Sequence, residues 1–376
     1  MSGLQEYSAS FAGETGYLNW AAFGPLSPAV RAAMADGESA LGSFDPRRHG
    51  AVGARVARAA AGIAELLGAV RTDVVLRPSS TDVLQHALFG VRGAVIAGAA
   101  EFPSISLTLQ RAADASAGGV VPRWIAPVDG QVTPDAVAAA LDDEVTALAV
   151  SHVDYRTGYR ADLPALRELI GPDRLLIVDA VQSFGVVDED WSAADVVAGH
   201  GYKWLRAGRG TGFGCFSSRA LERIRPVLSG ITGIDVEEPF TGEVPPPASA
   251  ARAFTTSVPD QLAVVRLEAA VDELRGVGVA EVAGQVAERA GEILAIAERH
   301  GIRSITPADP ARRAGIVSLV PDDPEALGRR LAEAGLVVTV RGGAVRVAAH
   351  AGTSAQTLRM LDAALPASGN LADARS

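Results

Sequence analysis

The chain has 376 residues and is 48% apolar, enough to bury a large core without disulfides or structural metal. Its formal net charge of −10 argues against a nucleic-acid surface, and its one cysteine, Cys215, excludes an internal disulfide and any metal site built on several cysteines. The opening residues lack the basic and apolar pattern of a secretory leader, and no stretch approaches the roughly 20 apolar residues of a membrane span, so the composition suits a soluble, cytoplasmic protein.

In chain order, short apolar runs alternate with amphipathic segments. Asp73–Leu76 reads as a strand and Thr81–Val91 as a helix; Ala94–Ala97 and Ser104–Ala115 repeat the pair. Val120–Trp124 is a strand, Pro134–Leu141 a helix, Val145–Val150 a strand and Leu163–Ile170 a helix. Leu175–Asp179, Asp195–Ala198 and Gly212–Phe216 are further strands. Runs of Val, Ile and Leu without strict alternation suit strands buried on both faces, and the strand–helix alternation predicts an α/β fold with a mostly parallel sheet. The pattern changes after Ser218. Gly230–Arg252 is a long Pro- and Gly-rich connection of the kind that is often functional. Helices over Gln261–Arg275 and Ala280–His300 follow. A small α+β unit then runs through Gly315–Val320, Glu325–Ala334, Val337–Arg341, Ala344–Val347 and Thr357–Ala364, ahead of a polar tail after Pro366.

The densest chemistry lies between Leu175 and Phe216. An apolar strand ends in Asp179, and Lys203 follows another apolar run, amid glycines. Pyridoxal 5'-phosphate (PLP) chemistry needs this pairing: an amine to form a Schiff base, and a carboxylate to keep the pyridine nitrogen protonated so that the ring accepts electrons. Both would stand at carboxyl ends of parallel strands, where ligands of such sheets bind. Gln182 is placed to bond the ring hydroxyl. Ser79, Ser80 and Thr81, between a strand and a helix, offer hydroxyls and backbone N–H groups to a phosphate.

The block LLIVDAVQSFG followed by DVVAGHGYKWLRAGRGTGFGCF resembles the class V aminotransferase superfamily of PLP enzymes, in the branch of cysteine desulfurases, isopenicillin N epimerase and kynureninase. The likeness extends from YLNWAAFGPLSPAV, Tyr17–Val30, to the Arg motif at Arg346-Val347-Ala348. It implies PLP fold-type I in three parts. Residues 1–25 join a small domain to the site, residues 26–260 form the large domain with a seven-stranded sheet, and residues 261–376 form the small α+β domain with its linking helices. It also implies a homodimer with active sites shared between subunits, acting on a small-molecule amino acid, with no membrane or nucleic-acid partner.

Residue by residue, the resemblance assigns Phe102 to stacking on the pyridine and Tyr202 to the phosphate. It assigns Thr255, Thr256 and Ser257 to a segment reaching the neighbouring subunit's phosphate. Where many relatives carry serine, this chain has His200, which either reaches the phosphate or is packed. Asp154 falls where a polar residue faces cofactor or substrate, and His152 is a general acid–base candidate by its chemistry. Arg346 matches the arginine for the substrate α-carboxylate, with Asn19 assisting and Arg341 as the alternative. The Asp-x-x-Gln pattern at Asp179 and Gln182 favours lyase-type chemistry at Cβ, including C–S cleavage. An aminotransferase, an epimerase or a non-catalytic PLP-binding protein are the alternatives. Cys215 lies in a core-like strand, against a desulfurase that forms its own persulfide, and Ala349-His350-Ala351-Gly352 departs from the segment that follows the arginine in kynureninase.

Overall fold

The computed structural model describes residues 3–43, 45–126, 131–236 and 242–366. Positions 237–241 of the Gly230–Arg252 connection and the tail beyond Pro366 lie outside the described residues. Seven strands form one sheet: β1 (Val74–Arg77), β2 (Gly93–Gly98), β3 (Val120–Ile125), β4 (Val145–Ser151), β5 (Leu175–Asp179), β6 (Val196–His200) and β7 (Gly212–Phe216), in the order β1-β7-β6-β5-β4-β2-β3. β3, β2, β4, β5 and β6 run parallel, and β7 is antiparallel to both its neighbours. Ser151, Asp179 and His200 therefore finish at the same edge, where Gly212 begins β7 opposite His200.

The sheet is buried on both faces, as its unbroken apolar runs require. In β5, Leu176 and Val178 enter one core while Leu175 and Ile177 enter the other. Helices Ser80–Gly90 and Pro103–Ala115 cover the second face through Val83, Leu84, Leu88, Ile105 and Leu109. Helices Arg55–Leu67, Leu163–Ile170 and Gln261–Val277 cover the first.

Element boundaries follow local chemistry. The helix Leu163–Ile170 starts where the Asp162 carboxylate accepts the Ala165 N–H at 3.0 Å and stops at Gly171, whose φ of +69° suits glycine. The strand expected over Asp195–Ala198 begins one residue later, at Val196, and runs on to His200. Asp195 is an anchor rather than a ladder residue: its carboxylate takes the Leu176 N–H at 2.8 Å and binds Arg167 and Arg219. Helices Pro28–Leu41 and Pro46–Gly53, together with the full extent of Arg55–Leu67, are additions to the elements read from sequence. They pack near Gln261–Val277, whose buried Glu268 holds Arg55 and Arg58.

A second, three-stranded sheet, β8 (Ile316–Leu319), β9 (Thr339–Arg341) and β10 (Ala344–Ala348), is antiparallel in the order β8-β10-β9. It has its own core with helices Val279–Arg299, Pro324–Glu333 and Ala355–Ala364. The N-terminal segment joins this sheet, with Leu18 N–H bonded to the Val337 carbonyl and Ala348 N–H to the Leu18 carbonyl. It then runs to the β6–β7 hairpin. There Arg206, 1% exposed, donates to the carbonyls of Pro25 and Ser10 and lies 3.9 Å from the centre of the Phe11 ring. Replacing Arg206 with Met keeps the stem and removes these charge-assisted bonds. We expect a loss of about 2–4 kcal/mol, read as a lowered Tm together with faster proteolysis before residue 25; an unchanged Tm would contradict this anchoring.

Candidate active site

A cavity of about 240 Å³ opens at the carboxyl edge of β4, β5 and β6, walled by Asp179, Lys203, Phe102, Tyr202 and the Ser79–Thr81 turn. Lys203 stands in the β6–β7 hairpin, 5% exposed. Its Nζ lies 5.6 Å from the Phe102 ring centre and 5.2 Å from that of Tyr202. Burial pushes the amine down to about 8; Asp179 opposes the shift, and Arg346 and Arg209 add to it. Asp179 ends β5, and its carboxylate accepts the Val181 N–H at 2.9 Å. Burial raises this carboxyl above its ordinary range, against the pull of that N–H and of Lys203.

The turn beside them is shaped for an anion. Ser79 caps the helix Ser80–Gly90 by accepting the Asp82 N–H, so the first N–H groups of that helix face the cavity rim. Gly212 makes room: a Cβ there would stand 2.5 Å from the Ser79 backbone. Thr81 and Ser104 hydroxyls pair at 2.6 Å and tie two helix starts together. His200 lines the same cavity with a buried Nε2 that has no protein partner among the described residues, and burial holds its ring down to about 3. Gln182 also lines it, with its carbonyl on Trp204 Nε1 and one N–H on the Ala21 carbonyl, leaving one N–H to spend.

Other residues singled out from sequence lie elsewhere. His152 is fully buried, 3.0 Å from Glu189 and edge-on to Trp191, and does not line the cavity. Asp154 spends its carboxylate on the Thr157 N–H and hydroxyl and on Arg156, shaping its own loop. Thr256 and Ser257 are exposed and away from this cavity, the Thr256 hydroxyl accepting from Arg77 at 3.1 Å. Arg346, on β10, donates to the Tyr155 carbonyl at 2.8 Å, and Asn19 accepts from the hydroxyl of Thr339, the register partner of Arg346.

Three contributors were not singled out from sequence. Tyr155 meets Phe102 edge-on at 5.1 Å, and Arg209 lies 4.9 Å from the Tyr202 ring centre. Glu101, wholly buried beneath Ser151, is raised to about 7 by burial, opposed by its bonds from Ser151. Arg209 sits within the quoted motif around Lys203, and Tyr155 stands directly after Asp154 in a strand-end loop, which were the available signals; Glu101 shows only once the fold buries it.

Amine, carboxylate, aromatic wall and anion cup are the four things PLP requires, and the cavity they wall, with the unpartnered His200 nitrogen on its lining, leaves it room. Comparisons with known proteins agree. The aminotransferase class-V family model matches residues 29–360. A kynureninase from Deinococcus radiodurans is 28% identical over 299 residues, covering 74% of this chain and 69% of its own. The uncharacterized aminotransferase YcbU of Bacillus subtilis is 26% identical over 296 residues, covering 76% of each. Among solved structures, a complex of the cystine C–S lyase C-DES with its product cysteine persulfide superposes with a TM-score of 0.85 at 20% identity, over 94% of this chain and 98% of that one. The cysteine desulfurase of Thermococcus onnurineus NA1 gives 0.82 at 18% identity over 94% of each. At such identities the structures speak for the fold alone, fold-type I. The match along most of the chain places it in the class V aminotransferase family: it is a PLP-dependent enzyme, a lyase or an aminotransferase.

Proposed function

We propose that the chain acts on an α-amino acid and cleaves a bond at Cβ, a C–S bond included, rather than transferring the amino group. The observation that carries the catalytic reading is Lys203: a buried amine lowered to about 8, between two aromatic rings and facing a strand-end carboxyl. PLP, when bound, draws electrons from the bonds at Cα. Lys203 would hold the cofactor, and its amine is placed to move protons at Cα. Asp179 keeps the ring nitrogen protonated. Phe102 covers one ring face, Gln182 meets the ring hydroxyl, and the Ser79–Thr81 turn with Tyr202 and His200 receives the phosphate. Arg346, assisted by Asn19, takes the α-carboxylate. The preference for cleavage rests on the Asp179–Gln182 pattern and on the kynureninase relative. Persulfide chemistry of the chain's own is disfavoured, because Cys215 is buried on β7 with its thiol pushed up to about 12 by burial. An aminotransferase is the second reading, favoured by the relative of that name. The segment Thr255–Ser257, with Thr256 and Ser257 exposed, supports a homodimer in which it completes the partner subunit's site, and the composition supports a cytoplasmic location.

Loading of apoprotein with PLP should follow the neutral amine. The rate, read from the visible band, should climb with pH and level off above about 8, far below the free-lysine value of 10.5. Lys203→Ala should lack the band and resist borohydride fixation; fixation at another lysine would move the assignment. With a panel of amino acids and no keto acid, the band of a lyase should fall and recover as ammonia and cleaved product appear. A band that stays lost would make the enzyme a transaminase. Arg346→Gln should raise KM for the responding amino acid about a hundredfold; unchanged kinetics would place the α-carboxylate elsewhere. Sedimentation at low concentration should show a dimer, and an active monomer would oppose the shared site.

A further inference from the structure

We infer that the substrate side chain carries a second anionic group, a carboxylate or comparable oxyanion, received by Arg303 and Arg341. This rests on reading the Lys203 cavity as the reacting site. Beyond Tyr155, which lines both spaces, lies a larger cavity of about 760 Å³. Four arginines line it: Arg156, Arg303, Arg341 and Arg346, and among the described residues no carboxylate does. The chain as a whole has 44 acidic side chains against 34 basic ones, so this wall runs against the bulk composition.

The four are not equivalent. Arg156 is paired with Asp154. Arg346 is held by the Tyr155 carbonyl, keeps a buried Nε without a partner among the described residues, and is the arginine read above as taking the α-carboxylate. Arg303 and Arg341 have no ion pair among the described residues, and Arg341 lies near enough to Arg346 to disfavour its charge. Two like charges on the wall of one cavity, neither ion-paired among the described residues, form a place for an anion.

The remaining polar lining narrows the donors. Every Ser and Thr hydroxyl on the wall already donates within the protein: Thr157 to Asp154, Ser304 to the Ser318 carbonyl, Thr306 to the Ile316 carbonyl, Ser318 to the Arg156 carbonyl and Thr339 to Asn19. Apart from the guanidinium groups few donors are left to spare, and an oxyanion matches those groups in both charge and fork geometry, whereas a neutral carbonyl matches neither. The volume also exceeds what a substrate as small as alanine or cysteine would fill.

The test titrates the PLP-loaded protein with L-glutamate against L-glutamine, L-aspartate against L-asparagine, and L-2-aminoadipate against L-norleucine, reading the change in the visible band. We expect an acidic member to act at a concentration about tenfold or more below its neutral counterpart. The exposed double variant Arg303→Gln, Arg341→Gln should lose most of that ratio. Acid and neutral members acting alike, or a double variant that keeps the full preference, would overturn the inference while leaving Lys203 as the reacting lysine. Silence to every amino acid would overturn the inference and the active-site reading together.

Discussion

The site depends on one close approach, between Gly24 and the turn that carries Lys203. The Gly24 N–H donates to the Tyr202 carbonyl at 2.9 Å, and a Cβ at this position would stand 1.9 Å from the Lys203 carbonyl oxygen. Only glycine lets the N-terminal segment lie there. That segment has just bridged to the three-stranded sheet beside Val337 and Ala348, so a single stretch of backbone registers Arg346 against Lys203. Arg206 fixes the same junction from the other side, at the unusual φ of +59° that turns the chain away from the lysine.

Within this frame, dehydration sets the electrostatics. Lys203 and Asp179 are both pushed towards neutrality because the fold removes water from each. Glu101 experiences the same effect behind Ser151, and the nearby carboxyls of Asp154 and Asp179 push it further. Not every buried polar group here is meant for a ligand. Glu189 gathers His152 and Arg160, and Asp154 gathers Thr157 and Arg156; each closes a loop at the sheet edge and supports the wall behind which the cavity lies.

Most of the large sheet is legible in the sequence because two-sided burial demands unbroken apolar runs. Leu163–Ile170, Leu175–Asp179 and Gly212–Phe216 begin and end where the residues predict. Edges shift where side chains act as anchors, as at Asp195, or where a polar residue extends a strand, as at His200. The helices before β1 are harder to read: their alanine-rich faces give little contrast, and they bury against Gln261–Val277, far along the chain. Lys203, Asp179, Phe102 and the Ser79–Thr81 turn, each beside a distinctive motif, come together on the lining of one cavity. Accessibility is not legible from sequence. His152 is a candidate by its chemistry and Asp154 by resemblance, and packing separates a histidine edge-on to Trp191 from the Asp179 carboxyl that lines the cavity. The meeting of Arg303, Arg341 and Arg346 with Tyr155 joins segments far apart in the chain, which no local pattern reports.

The antiparallel placement of β7 has a mechanical consequence. A parallel successor to β6 would require a crossover long enough to hold a helix. Here the chain turns straight back, and the lysine loop is clamped at both ends by the His200–Gly212 pair. The loop is also bonded within itself, Gly201 N–H to the Thr211 carbonyl and Ala207 N–H to the Gly201 carbonyl, so the backbone that carries Lys203 is held against the sheet edge and the reach of the amine is set by its own side-chain torsions.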